Sequence, residues 1–259
     1  MANNCLVTKL NAVVNDNKLD KLGYYRVKVN IDESVAEAKR RVRIFNYDVS
    51  SDNHFIVNVI GGSSKISLNN DFSNPVSSID QTSQSSSGTN IYLLIGEYEL
   101  EVFSKYKVKD FSLENKCPSI MEFDLNSFAY TNPRIINVYG QNDVTGDLSD
   151  FENKNLLEAL VIYGNSPGYS KVTGNIMSLC NDVKLTTLTL SRCNKIEGDI
   201  EALANAMYNN GNGRTDGTLI VNAGRSTVTC GSDKCEDYGG YTATITFSVS
   251  GPTISVSKN

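Results

Sequence analysis

Apolar and polar positions alternate from Tyr24 onward, with Val27, Val29 and Ile31 two apart, the period of a strand that buries one face. The same signal, or a short apolar run bounded by turn residues, predicts strands at 42–46, 55–60, 65–68, 91–95 and 98–103. Between the third and fourth of these lies "NNDFSNPVSSIDQTSQSSSGTN", 69–90, whose Ser and Asn content reads as one long loop. The pattern therefore predicts an antiparallel β domain over 23–105. A polar, asparagine-rich arm over 1–22 precedes it.

Further along, one phrase is written three times: "VTGDLSDF" at 144–151, "VTGNIMSL" at 172–179 and "IEGDIEAL" at 196–203. Each fits [Val/Ile]-x-Gly-[Asp/Asn]-[Leu/Ile]-x-x-[Leu/Phe]. Upstream of each copy runs a short strand-like stretch. "LTTLTLSRCNKI" places Leu185, Leu188, Leu190 and Cys193 on the L-x-x-L-x-L-x-x-[N/C] positions of a leucine-rich repeat. "LEALVIYGN" does so with Leu157, Leu160, Ile162 and Asn165, and "PRIINVYGQNDV" with Ile136, Val138 and Gln141, Pro133 departing at the first position. Weaker copies are "VKDFSLENK", with Phe111 and Leu113, and "GTLIVNAG", with Leu219 and Val221.

In such a repeat each turn adds a strand to a parallel sheet with its apolar residues inward, and the ninth position satisfies backbone groups where the chain leaves the sheet. The Gly permits the turn, and the Asp or Asn caps the helical segment that follows. "GDIEALANAMYNNG" shows this most fully, with Asp199 at the start and Ile200, Leu203 and Met207 on one face. Beyond residue 228 the phase breaks, and alternation at Ile245, Phe247 and Val249, a turn at "SGP", then Ile254 and Val256 predict a hairpin. The fold class expected is mainly β with short helices: an N-terminal antiparallel β domain, a short degenerate leucine-rich-repeat solenoid over 106–228, and a C-terminal β-hairpin cap over 229–259.

Composition narrows the chemistry. A net charge of -5 over 259 residues argues against nucleic acid as a partner, and "KRRVR" at 39–43 lacks interleaved aromatics and reads as a solvated face. No apolar run is long enough for a membrane-spanning helix, so no membrane insertion is expected, and the start carries no secretory signal pattern. Six cysteines in a chain made without a signal are expected to stay reduced, Cys230 and Cys235 being the pair to form if any does. His54 is the single histidine and reads as a surface residue. "GGSSK" at 61–65 lacks the spacer of a phosphate loop, and "NNGNGRTDG" at 209–217 lacks calcium-loop spacing and reads as a mobile inter-repeat loop. No enzyme activity, catalytic residue, cofactor or metal is expected.

Binding is the better candidate. Between the inward positions of the repeats lie Asn137, Tyr139, Val161, Tyr163, Thr189, Ser191, Ile220 and Asn222, which would face the exposed side of the sheet. Tyr139, Val161, Tyr163, Thr189, Ser191 and Ile220 form the candidate interaction surface, a partly apolar stripe suited to a sugar, a protein or a sister subunit. Strands ~4.8 Å apart give five turns a span of only about 20 Å, so self-association is expected to enlarge the surface.

The opening "MANNCLVTKLNAVVNDNKLDKLGYYRV" resembles the start of virion proteins from crAss-like gut bacteriophages and related prophages of Bacteroidales hosts. "IYLLIGEYELEVFSKYKVKDFSL" followed by degenerate leucine-rich repeats is similar to that group as well. The resemblance implies a head-fibre, tail-fibre or decoration protein assembled in the host cytoplasm. It would be anchored to other virion proteins by its N-terminal region, be a homo-oligomer (dimer or trimer), and display its repeats to a host surface glycan or protein. The competing reading is a bacterial surface or secreted leucine-rich-repeat adhesin. A glycan-active enzyme is a third.

Overall fold

The computed structural model describes residues 23–31, 33–34, 36–37, 40–44, 54–61, 66–67, 71–74, 76–82, 89–104, 110–114, 121–128, 133–139, 144–164, 168–210, 213–231, 233–234 and 240–258. The arm over 1–22 lies outside them. The chain is mainly β. Its first strands are β1 (Gly23–Ile31), β2 (Arg41–Ile44), β3 (His54–Gly61), β4 (Ile66–Ser67), β5 (Ser78–Thr82), β6 (Thr89–Leu93) and β7 (Gly96–Ser104). β1 and β3 flank β7 in antiparallel register, and β2, β6 and β4 form a separate three-stranded sheet. Val29, Val57, Tyr98 and Leu100 from the first sheet and Ile66, Ile91 and Leu93 from the second are buried in one core.

One expectation fails here. The stretch 69–90 is not a single loop: β5 pairs antiparallel with β3, Ile66 bridges Val76, and β6 begins at Thr89. An edge strand needs only one inward apolar residue, and Ile79, 4 % exposed, supplies it amid polar neighbours.

The second half brings β8 (Asp110–Glu114), β9 (Met121–Asp124), β10 (Ile135–Tyr139), β11 (Val144–Thr145), β12 (Ala159–Tyr163), β13 (Gly174–Asn175), β14 (Thr187–Ser191) and β15 (Ile196–Glu197). Helix α1 (Ile200–Asn209) is followed by β16 (Thr218–Gly224), β17 (Thr229–Cys230), β18 (Asp233–Lys234), β19 (Tyr241–Ser248) and β20 (Gly251–Lys258). Strands β8, β10, β12, β14 and β16 pair in parallel, and the hairpin β19–β20 adds antiparallel to β16, giving one seven-stranded sheet. The hairpin thus extends the sheet sideways. β9 and β11 join the N-terminal strands in a six-stranded sheet of order β11-β9-β1-β7-β3-β5, which ties the two halves together.

Register explains the burial. Ile136, Leu160, Leu188, Val221 and Ala243 lie side by side across five strands, and Val138, Ile162, Leu190, Ala223 and Tyr241 form the next row. All ten are buried. Full burial of such a Leu or Ile side chain contributes roughly 1.5–3 kcal/mol, so this face supplies much of the cohesion of the sheet.

Behind the sheet the thrice-written phrase builds the same corner each time. Gly146, Gly174 and Gly198 have φ of +115, +110 and +122. A Cβ on Gly174 would sit 2.7 Å from Asp147 Oδ1, and one on Gly198 2.6 Å from Asn175 Oδ1, so each glycine is pressed against the cap of the preceding copy. Asp147, Asn175 and Asp199 are N-caps, accepting from the backbone N–H of Ser149, Met177 and Ala202 at 3.0, 2.9 and 3.0 Å. Two of these carboxylates also reach the next turn: Thr173 Oγ1 donates to Asp147 Oδ2 at 2.7 Å, and Thr229 Oγ1 to Asp199 Oδ2 at 2.8 Å.

Candidate interaction surface

The strand registers determine which predicted residues meet. Tyr139, Tyr163 and Ser191 are neighbours across β10, β12 and β14, and Asn137, Val161, Thr189, Asn222 and Thr242 form the adjoining row through to β19. Ile220 stands in a third row beside Thr187 and Thr244. Val161, Tyr163, Thr189 and Ser191 are half-buried, shielded by their neighbours on the sheet, while Ile220 is 40 % exposed. Tyr139 is placed by its backbone alone. The sheet thus brings the six candidates onto adjacent positions of one face, opposite the buried rows, and fixes them at strand spacing.

The sequence reading missed the polar wiring of that face. Asn222 donates through Nδ2 to Thr189 Oγ1 at 3.3 Å and accepts at Oδ1 from Thr242 Oγ1 at 3.0 Å, linking β14, β16 and β19. The hairpin continues the hydroxyl rows with Thr244 and Thr246, and with Thr253, Ser255 and Ser257 opposite them on β20. Asn137 Oδ1 is buried and makes no hydrogen bond among the described residues, an acceptor on β10, one strand in from the β8 edge. The signal was available as T-x-T spacing in "LTTLTLS" and "YTATITFS", which puts the two-apart Thr residues on one side.

Behind the face, several residues hold the strands in place. Cys193 is buried, donates weakly through Sγ to the carbonyl of Ile162 at 3.5 Å, and burial pushes its thiol up to about 12, so it remains protonated. The Ser191 carbonyl lies within reach of the same thiol at 3.4 Å. The counterparts of Cys193, Asn165 and Gln141, lie outside the described residues. Asn210, Asn181 and Asn153 form a chain across three turns: Asn210 Nδ2 donates to Asn181 Oδ1, and Asn181 Nδ2 to Asn153 Oδ1 at 2.7 Å.

In "NNGNGRTDG", of which residues 211–212 lie outside the described residues, the arginine is held in place. Arg214 is 7 % exposed and donates to the carbonyls of Leu185, Asp216 and Thr218, with its guanidinium 4.5 Å from the centre of the Phe247 ring. A buried cation satisfying three carbonyls pins this segment to β16, to β19 and to the chain just ahead of β14.

One buried acid is unusual. Asp182 is fully buried, and burial raises its carboxyl to about 8. The Lys154 backbone N–H and ammonium act on it favourably without closing a hydrogen bond of ordinary geometry, and the Glu152 carboxylate opposes ionisation. Lys154 is itself held below its ordinary value by burial, with Asp182 and Asp150 working against that shift.

His54 lies in β3, with its side chain outside the description, as are Lys39, Gly62 to Lys65, Cys5, Cys117 and Cys235. Cys180, Cys193 and Cys230 carry no disulfide. Among the described residues no three His, Cys, Asp or Glu side chains gather closely enough to hold a metal, and no helix is long and apolar enough to cross a membrane. Comparison with family models, curated proteins and solved structures returns no match to this chain.

Proposed function

We propose that the parallel ladder is a short, degenerate leucine-rich-repeat solenoid and that the protein is a structural component of a bacteriophage virion, a head fibre, tail fibre or decoration protein. Its N-terminal region anchors it to other virion proteins. The observation that supports display is the face bearing Val161, Tyr163, Thr189, Ser191 and Ile220, which is carried on three adjacent paired strands and wired to a fourth by Asn222. Side chains presented at fixed spacing on a rigid sheet lose little entropy on contact, the property a host-binding or subunit-binding surface needs. The resemblance of the opening residues supports the virion setting.

Purified particles labelled with an antibody to this chain and viewed by electron microscopy test the reading. Label on a discrete appendage or on the capsid surface is the expected result. Particles that carry no label, while the protein stays in the soluble fraction of the lysate, would remove the proposal.

A further inference from the structure

The two edges of the seven-stranded sheet are finished differently. At one end β8 runs alongside β2 of the N-terminal unit. At the other, β20 has β19 on one side and no described strand on the other. It pairs with β19 over eight consecutive residues without a bulge, from Ser248↔Gly251 to Tyr241↔Lys258. Bulges and inward-pointing charges are the usual guards against pairing at such an edge, and Thr253 to Ser257 has neither.

The two-residue turn at Val249 and Ser250 sets which groups point outward. The closing pair of such a hairpin exchanges hydrogen bonds, so Gly251, Thr253, Ser255 and Ser257 turn their peptide groups to β19. Phe247 agrees with this phase, since its N–H donates the other way, to the Gly217 carbonyl at 3.0 Å. The peptide groups of Ile254 and Val256 therefore point to the side without a strand. Pro252, which has no N–H to offer, occupies the same outward phase, where proline is tolerated on an edge. Val256 lies on the core side, opposite buried Ala243, yet is 38 % exposed, and Ile254 beside it is half-buried. The core simply stops short at this strand.

We propose that β20 is a self-pairing edge, through which two copies of this chain join antiparallel about a two-fold axis perpendicular to the sheet. A second copy fits best because the strand is its own complement: it is neutral from Thr253 to Ser257, and the axis brings its outward N–H and C=O groups opposite their equals. Val256 of one copy then covers Val256 or Ile254 of the other, completing the core where it stops short. With the opposite edge set against β2, the pairing closes as a dimer and does not propagate. Both copies show Tyr163, Thr189 and Ile220 on the same side of one continuous sheet. The inference stands apart from the virion reading, because it concerns the chain in solution.

Sedimentation velocity of the full chain between about 1 and 100 µM tests it, with hydrogen exchange read at β20. A single strand pair buries less than a standard interface, so a monomer–dimer equilibrium with Kd on the order of 10 µM is expected. Amides of Ile254 and Val256 should gain protection with concentration. Val256→Lys sets two ammonium groups near the axis and should weaken the dimer at least ~100-fold, with its unfolding midpoint confirming a folded monomer, while Val256→Thr should leave the dimer in place. A chain that is monomeric at 100 µM overturns the proposal, as does a dimer indifferent to Val256→Lys with unprotected Ile254 and Val256 amides. Dimerisation that appears only after removal of residues 1–22 also overturns it, since the arm would then be the strand's natural partner.

Discussion

The antiparallel strands β1, β3 and β7 and the parallel strands β10, β12, β14 and β16 bury similar rows of aliphatic side chains, yet they are secured differently. In the first group β1 pairs without interruption with β7, and β3 does so up to a register shift between Val59 and Gly61, so backbone hydrogen bonds and alternation do most of the work. In the second, each strand must be left, carried behind the sheet and re-entered, and every such passage exposes backbone groups that no neighbouring strand satisfies. Asp147, Asn175, Asp199, Cys193, Asn210 through the Cys180 carbonyl, and Arg214 meet that need. The difference teaches that the ladder should be sensitive to changes at polar and glycine positions where the antiparallel unit is not.

The strongest challenge to this contrast is Gly174→Val. A β-branched residue at φ +110, with its Cβ 2.7 Å from Asp147 Oδ1, should cost more than about 4 kcal/mol, and chemical denaturation should show loss of cooperative folding. Next comes Arg214→Ala, expected to cost about 3 kcal/mol because buried carbonyls of Leu185 and Thr218 lose their donor; Arg214→Lys should recover little of it. A midpoint unchanged by Arg214→Ala would mean the loop is not pinned. In the antiparallel unit the matched polar change, Glu97→Ala on an exposed strand position, should stay within about 0.5 kcal/mol.

Asp182→Asn sharpens the comparison through pH. The folded state raises this carboxyl from 3.8 to about 8, so folding favours the protonated form, and its contribution is complete below about pH 4 and declines as pH rises towards 8. The neutral amide should therefore flatten the fall in Tm over that window and be worth about 1–3 kcal/mol at its upper end. Equal slopes in both proteins, measured by calorimetry from pH 4 to 8, would show that Asp182 does not titrate there. Within the ladder the smallest effect belongs to Asp147→Ala, about 1 kcal/mol for the lost cap, read as a shift in urea midpoint and still above that of Glu97→Ala.

Legibility followed the same division. The parallel strands were readable because Leu160, Ile162, Leu188 and Leu190 recur at fixed spacing and Gly-[Asp/Asn] marks each corner. A fourth corner went unread because it lacks the glycine: Asp124, Leu125 and Phe128 match Asp147, Leu148 and Phe151, with Asp124 Oδ1 accepting from Asn126 N–H at 3.0 Å and the two Phe rings 6.3 Å apart. The strand at Ser78–Thr82 was hidden by its edge position, where one Ile among polar residues suffices. Arg214 was unreadable in principle, since Leu185 precedes β14, Thr218 lies in β16 and Phe247 in β19, and only the folded chain brings them within reach. Of the candidate surface, the alternation of Tyr163, Thr189 and Ile220 was legible, but the Asn222 bridge depended on a register that sequence spacing alone does not set.

Cys193 also makes the ladder its own gauge. A thiol that stays protonated up to about 12 and lies wholly inside is closed to alkylating reagents, whereas Cys180 and Cys230 are partly accessible. The rate at which Cys193 becomes modified therefore counts how often the turns part between β12 and β14, giving a clock for local opening that needs no added probe.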